Sequence, residues 1–244
     1  MTPDGDPSLP EAELLRVQAQ WLAPARARLL RHVAIARRRR TLDLGAGYGA
    51  VTGELVRRSG GPVVALDLAA EALRRAEPFA GAGRVNGDAA RLPFPAGTFD
   101  LIFCQCALLW MPLPETLDEA ERVLQPGGVL IALEPDYGGM IEYPPEASTR
   151  DLWLAGLARA GADPLVGRKL PAWLEARGFD VRVELLSELQ PPSPERFALL
   201  RDLLTAKDER AALDHIAAEP GAGGRWGIVA HLPMFLITAV KHPR

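Results

Sequence analysis

The chain has 244 residues, 48% of them hydrophobic and 24% charged, and a net charge of −3. That length and balance suit one soluble globular domain with a sizeable core, and the mild acidity speaks against a dedicated nucleic-acid binder, which carries a basic surplus. The two cysteines, Cys104 and Cys106, sit too close together for a disulfide framework, and with scattered histidines they give no zinc-ligand spacing.

The opening, MTPDGDPSLPEAE, is acidic and proline-rich. It lacks the basic start and apolar run of a signal peptide, and no stretch reaches the roughly 18–20 consecutive apolar residues of a membrane span. The expectation is a cytoplasmic protein with no membrane partner. Residues 1–8 read as disordered and residues 9–244 as a single domain. Residues 9–40 read as N-terminal helices, with Leu14, Leu15, Val17, Trp21 and Leu22 on one helical period and Pro24 opening a second helix. Arg37–Arg40 form a basic run that reads as a solvated helix end.

Strands and helices then alternate. Thr41–Leu44 predicts the first strand and Ala50–Arg58 a helix. PVVALD at Pro62–Asp67 is a β-branched buried strand, and Ala70–Glu77 a short helix stopped by Pro78. Arg84–Gly87 and Phe99–Cys104 are the third and fourth strands, Glu115–Leu124 a helix, and Val129–Glu134 the fifth strand. This alternation predicts a parallel sheet covered on both faces. After Glu134 the rhythm changes. Ser148–Ala160 and Val166–Arg177 read as helices, the second ended by Gly178. Asp180–Ser187 reads as a sixth strand, Pro194–Ala217 as helical, Glu219–Gly227 as a loop, and Met234–Lys241 as a final strand.

The chemistry concentrates at LDLGAGYGAVTGELV, Leu42–Val56, where a strand ends in alternating glycines and opens a helix. Glycines there let a ligand approach the backbone, and the helix start offers free N–H groups. A triphosphate loop would need Lys and a hydroxyl residue at its end, where this chain has Ala50 and Val51. A dinucleotide fingerprint is met by Gly45, Gly47 and Ala50, with Asp67 about twenty residues on. However, Asp43 lies two residues before Gly45, and a buried carboxylate repels a pyrophosphate while it attracts an ammonium or a sulfonium. S-adenosylmethionine carries both cations. GDAARLPFPAGTFDLIF adds Asp88 after the third strand, and LQPGGVLIALEP leads through a turn into the fifth.

These four elements, in this order, resemble the class I S-adenosylmethionine-dependent methyltransferases from about Leu42 to Pro135, with a weaker likeness from Leu170 to Val240. The resemblance implies a Rossmann-like α/β fold: a seven-stranded mixed sheet in order 3-2-1-4-5-7-6, strand seven antiparallel, helices on both faces and helical lid insertions at 144–165 and 188–225. It implies S-adenosylmethionine as cofactor. Asp43 and the Gly45, Ala46 and Gly47 backbone would hold the methionine end, with Arg26 pairing the carboxylate. Asp67 would hold the ribose diol beside Leu68, Asp88 and Ala89 would meet the adenine, and Cys104 and Gln105 would face the sulfonium.

The implied reaction is direct in-line methyl transfer, which needs alignment more than covalent catalysis. A base serves only an acceptor that must lose a proton, and Tyr137, Asp136 and His231 are the candidates. Trp110, Glu134, Tyr137 and Tyr143 are expected to wall the acceptor site. No Asn-Pro-Pro-Tyr follows the fourth strand, no basic domain is appended, and the insertions favour a lidded site. The expected acceptor is therefore a small molecule, handled by a monomer or homodimer. A non-catalytic S-adenosylmethionine-binding or regulatory protein, an RNA or protein methyltransferase, and an NAD-dependent oxidoreductase stand as alternatives.

Overall fold

All four residues of the first strand, Thr41–Leu44, are buried. A strand with no exposed face has to run inside a sheet covered on both sides. The computed structural model, which describes residues 9–76, 81–186, 188–189, 197–218 and 226–242, builds that sheet around it. In chain order the strands are β1 (Thr41–Leu44), β2 (Val63–Asp67), β3 (Ala82–Asn86), β4 (Phe99–Gln105), β5 (Leu124–Pro135), β6 (Ile141–Tyr143), β7 (Phe179–Leu185), β8 (Val229–His231) and β9 (Met234–Lys241). Seven of them form one sheet in the order β3-β2-β1-β4-β5-β9-β7. β3, β2, β1, β4 and β5 pair in parallel, whereas β9 is antiparallel to both β5 and β7. Counted within the sheet alone, this is the expected 3-2-1-4-5-7-6.

The helices in chain order are α1 (Ala12–Trp21), α2 (Ala23–His32), α3 (Thr52–Arg58), α4 (Ala70–Arg75), α5 (Leu113–Val123), α6 (Arg150–Arg159), α7 (Val166–Glu175), α8 (Ala198–Leu203) and α9 (Lys207–Ala218). They divide between the two faces because successive strand residues point to opposite sides. Leu101, Phe103, Val129, Ile131 and Leu133 pack with Leu22, Leu29 and Leu30 of the N-terminal helices and Leu55 of α3. Ile102, Cys104, Leu130 and Ala132 pack on the other side with Leu117, Leu157, Leu170 and Leu174 of α5, α6 and α7. Each fully buried Leu or Phe contributes about 1.5–3 kcal/mol, so both layers are held by apolar burial.

The structure departs from the sequence reading in two places. Helix over Pro194–Ala217 is interrupted: α8 ends where Leu204 turns extended, and α9 starts anew at Lys207; residues 190–196 lie outside the described residues, as do 1–8 and 219–225. In addition, β6 and β8 form a separate antiparallel ribbon that pairs Ile141 with His231 and Tyr143 with Val229. Three-residue strands so far apart in sequence leave no periodic signal.

Candidate cofactor and acceptor site

The C-terminal ends of β1, β2, β4 and β5 converge on the loop that follows β1, as ligand sites of open α/β sheets do. Gly45 and Ala46 donate their N–H groups to the Leu66 carbonyl at 2.9 and 3.0 Å, which pulls the loop across to β2. Gly45 has φ +76, and a Cβ there would lie 2.5 Å from the Ala107 Cβ. Only glycine meets both the backbone and the space. Over Gly47, the Leu9 and Leu15 side chains lie 3.5 and 4.0 Å from where a Cβ would stand, so α1 and the residue leading into it cover the loop.

Two opposite charges are buried beside this loop. Asp43, on β1, accepts a hydrogen bond from the Thr52 hydroxyl at 2.6 Å. Burial pushes its carboxyl up to about 6; the Thr52 bond opposes that rise, the Asp67 charge adds to it, and the Arg26 charge lowers it again. Arg26, on α2, is only 4% exposed. It donates to Glu54 of α3 at 2.8 Å, to the Ala19 carbonyl at 2.8 Å and to the Gln105 side chain at 2.9 Å. The tip of β4 is thereby tied through Arg26 to α1, α2 and α3. Glu54, held below the usual carboxylate range by Arg26 and Arg58 against the opposing effect of burial, completes the network. Sequence reasoning singled out neither Thr52 nor Glu54. Their signal was position, in the first turn of the helix that the glycine loop opens.

Asp67 ends β2. One carboxylate oxygen accepts the Gly47 N–H at 2.7 Å and the other the Ala69 N–H at 2.8 Å. Beside it Leu68 is 54% exposed, an apolar face presented at the strand end. Asn86, also missed from sequence, donates to the Asp67 and Leu68 carbonyls at 3.0 and 2.8 Å and fixes their course. Asp88 is exposed and accepts the Ala90 N–H at 2.9 Å, an Asx turn, with Ala89 buried next to it.

On the other side, Cys104 is buried inside β4 and Gln105 reaches back to Arg26. Glu134 is fully buried at the end of β5, where burial pushes its carboxyl up to about 7 against the Leu108 and Ala107 N–H bonds. Trp110 is 46% exposed after β4, and Tyr143 is 57% exposed on β6. Two sequence expectations need correction. Asp136 is buried and bound by the Arg168 guanidinium at 2.6–2.9 Å, so it is occupied as a structural ion-pair partner rather than free to act as a base. Tyr137 is buried against Trp153, ring centroids 4.7 Å apart, and burial drives its phenol far above its ordinary range, which removes it as a base near neutral pH. His231 is partly buried on β8, and desolvation lowers its pKa against a hydrogen bond with the Leu186 backbone. Among the described residues no three His, Cys, Asp or Glu form a metal-binding group, and no helix is long and apolar enough to cross a membrane.

Comparison with known proteins agrees with this geometry. Residues 42–132 match the family model described as a methyltransferase domain. The chain is 31% identical to the Aspergillus luteorubrus protein ltbC over 165 residues, 57% of this chain and 56% of that one. It is 42% identical to the malonyl-acyl-carrier-protein O-methyltransferase of Halorhodospira halophila over 99 residues, 38% of this chain and 34% of that one. Protein BH2331 of Bacillus halodurans shares the fold with a TM-score of 0.67 at 19% identity, over 89% of this chain and 98% of that one. The matched segments span between 18% and 56% of the first curated relatives. Residues 42–132 thus carry a methyltransferase domain, set in the Rossmann-like fold that the chain shares with methyltransferase structures over most of its length. The residues present fit S-adenosylmethionine: a buried carboxylate and a buried guanidinium lie together where a zwitterionic methionine end would rest, and an exposed leucine beside a strand-end acid suits an adenosine.

Proposed function

We propose that the chain catalyses direct transfer of a methyl group from S-adenosylmethionine to a small-molecule acceptor bound past the ends of β4 and β5. The observation that carries this reading is that the buried Arg26, bonded to Gln105 at the tip of β4, acts electrostatically on the buried Asp43 at the foot of the glycine loop. The cofactor supplies an activated methyl group on a good leaving group. Asp43 and the Gly45–Gly47 backbone hold the ammonium side and Arg26 the carboxylate. Asp67 exchanges its loop N–H partners for the ribose hydroxyls, Leu68 and Ala89 flank the adenine, and Asp88 accepts from its amine. Cys104 and Gln105 line the methyl-transfer side.

Alignment and exclusion of water are then the main tasks of the chain. Trp110, Glu134, Tyr137 and Tyr143 border the acceptor, and the lids are sought in segments 144–165 and 188–225, of which 190–196 and 219–225 lie outside the described residues. His231, held neutral near pH 7 by its lowered pKa, is the remaining candidate to take a proton from a hydroxyl acceptor.

The test is calorimetric titration of the protein with S-adenosylmethionine, S-adenosylhomocysteine and NAD, repeated on Asp67→Ala. Micromolar binding of the first two, weakened about 10–100-fold by the substitution, with no NAD binding, supports the reading. NAD binding without S-adenosylmethionine binding refutes it. Binding without S-adenosylhomocysteine release across a set of small acceptors would instead favour a non-catalytic role or a macromolecular acceptor.

A further inference from the structure

The two carboxylate oxygens of the buried Glu134 are treated unequally. Oε1 accepts the N–H groups of Ala107 and Leu108 at 3.1 and 3.0 Å and the Cys104 thiol at 3.7 Å. Oε2 has no hydrogen-bond partner among the described residues. A buried carboxylate is unfavourable unless it is well bonded, so what its bonds hold is informative. They hold the loop Cys106–Met111. That loop begins with Cys106 at φ +53, a left-handed conformation that a non-glycine residue keeps only under restraint. The same loop presses on the cofactor side: a Cβ on Gly45 would meet the Ala107 Cβ at 2.5 Å and the Met111 Cε at 3.1 Å. It also reaches the acceptor side, where the Leu109 carbonyl accepts the Asp163 N–H at 2.7 Å.

We propose that Glu134 is a positioning residue for cofactor binding: its carboxyl fixes the Cys106–Met111 loop, and that loop holds Gly45 and the acceptor wall in one geometry. This inference rests on the cofactor reading above. The ionisable groups facing Glu134 are Cys104 from β4, Cys106 from the loop after it and Tyr137 beyond β5, all pushed up by burial and so neutral; Arg26 acts from α2 on Cys106. Glu134 is therefore the group of this cluster that titrates near pH 7. The buried carboxyl holds its proton more tightly than an exposed one would, so ionisation above that pH favours exposure of Glu134 and loosens the loop. Asp43, at about 6, titrates inside the cofactor site itself, and a Gln at position 134 separates the two contributions.

The experiment compares the full chain with its Glu134→Gln and Glu134→Ala variants. S-adenosylhomocysteine affinity is measured by calorimetry at pH 6 and pH 8, and backbone hydrogen exchange at Ala107–Met111 is followed without ligand. Glu134→Ala is expected to weaken binding about 10–100-fold and speed loop exchange about 10-fold or more. Glu134→Gln keeps an acceptor oxygen and mimics the protonated acid, so it should stay within about 3-fold of wild type at pH 6 and show a smaller change between pH 6 and pH 8. A folded Glu134→Ala protein with wild-type affinity, or with unaltered loop exchange, overturns the proposal. Where Glu134→Ala does not fold, an unchanged pH dependence in Glu134→Gln overturns it. If the wild type binds no S-adenosylhomocysteine, the cofactor reading itself fails and this coupling with it. Wild-type binding with an indifferent variant sinks only the coupling.

Discussion

The two halves of the sheet's C-terminal edge are built on different principles. Around β1 and β2 the polar groups that face the loop are charged, buried or half-buried, and bonded to one another: Asp43 to Thr52, Arg26 to Glu54 and Gln105, Asp67 to Gly47 and Ala69. Around β4 and β5 the wall is largely apolar and aromatic, and its charged groups are either closed in ion pairs, as Asp136 is with Arg168, or withdrawn beneath a loop, as Glu134 is. One half has a fixed pattern of charges, suited to a ligand that never changes. The other has shape and apolar surface, and meets the first where the Cys106–Met111 loop lies against Gly45.

That contrast can be broken most forcefully at Arg26. Arg26→Ala leaves Glu54 with Arg58 alone in a mostly buried setting and is expected to cost about 3–5 kcal/mol of stability, read by chemical denaturation. A smaller effect is expected from pH. The Glu134 carboxyl is raised from 4.5 to about 7, so the folded state binds its proton more tightly than the unfolded state does. Its stabilising contribution is complete below about pH 4.5 and is lost as pH rises through 7. Wild type should therefore lose up to about 3 kcal/mol relative to Glu134→Gln between those limits, a difference from which the Asp43 titration cancels. Next, Gly45→Ala puts a side chain at φ +76 against Ala107, and should reduce stability or S-adenosylhomocysteine affinity by about 2 kcal/mol. At the other extreme, Tyr143→Ala on the exposed face of β6 should leave stability and cofactor affinity within about 0.5 kcal/mol while raising KM for the acceptor. A large loss of cofactor affinity there would erase the distinction between the halves.

The sheet was legible in the sequence because its central strands are covered on both faces, and continuous apolar runs such as FDLIFC and VLIALE have few other uses. The glycine loop was legible because its residues are neighbours in the chain. What stayed hidden depends on distant partners. Nothing local ties Arg26 to Gln105, 79 positions away, or Asp136 to Arg168, 32 positions away. An acid after a strand reads as a surface group until the loop that buries it is seen, and this is why Glu134 was read as a site wall and its hold on Ala107 and Leu108 was missed. The β6–β8 ribbon escaped for the same reason, since its register is set by packing and its strands are only three residues long.

The position of β9 bears on how the molecule is made. It is the last of the sheet's strands to leave the ribosome, yet it lies between β5 and β7 and bonds to both. Until residues 234–241 emerge, β5 presents a bare hydrogen-bonding edge and β7 has no neighbour in the sheet. A nascent chain stalled before Met234 therefore carries unpaired edges next to an almost wholly apolar strand, the state most open to aggregation and to chaperone capture.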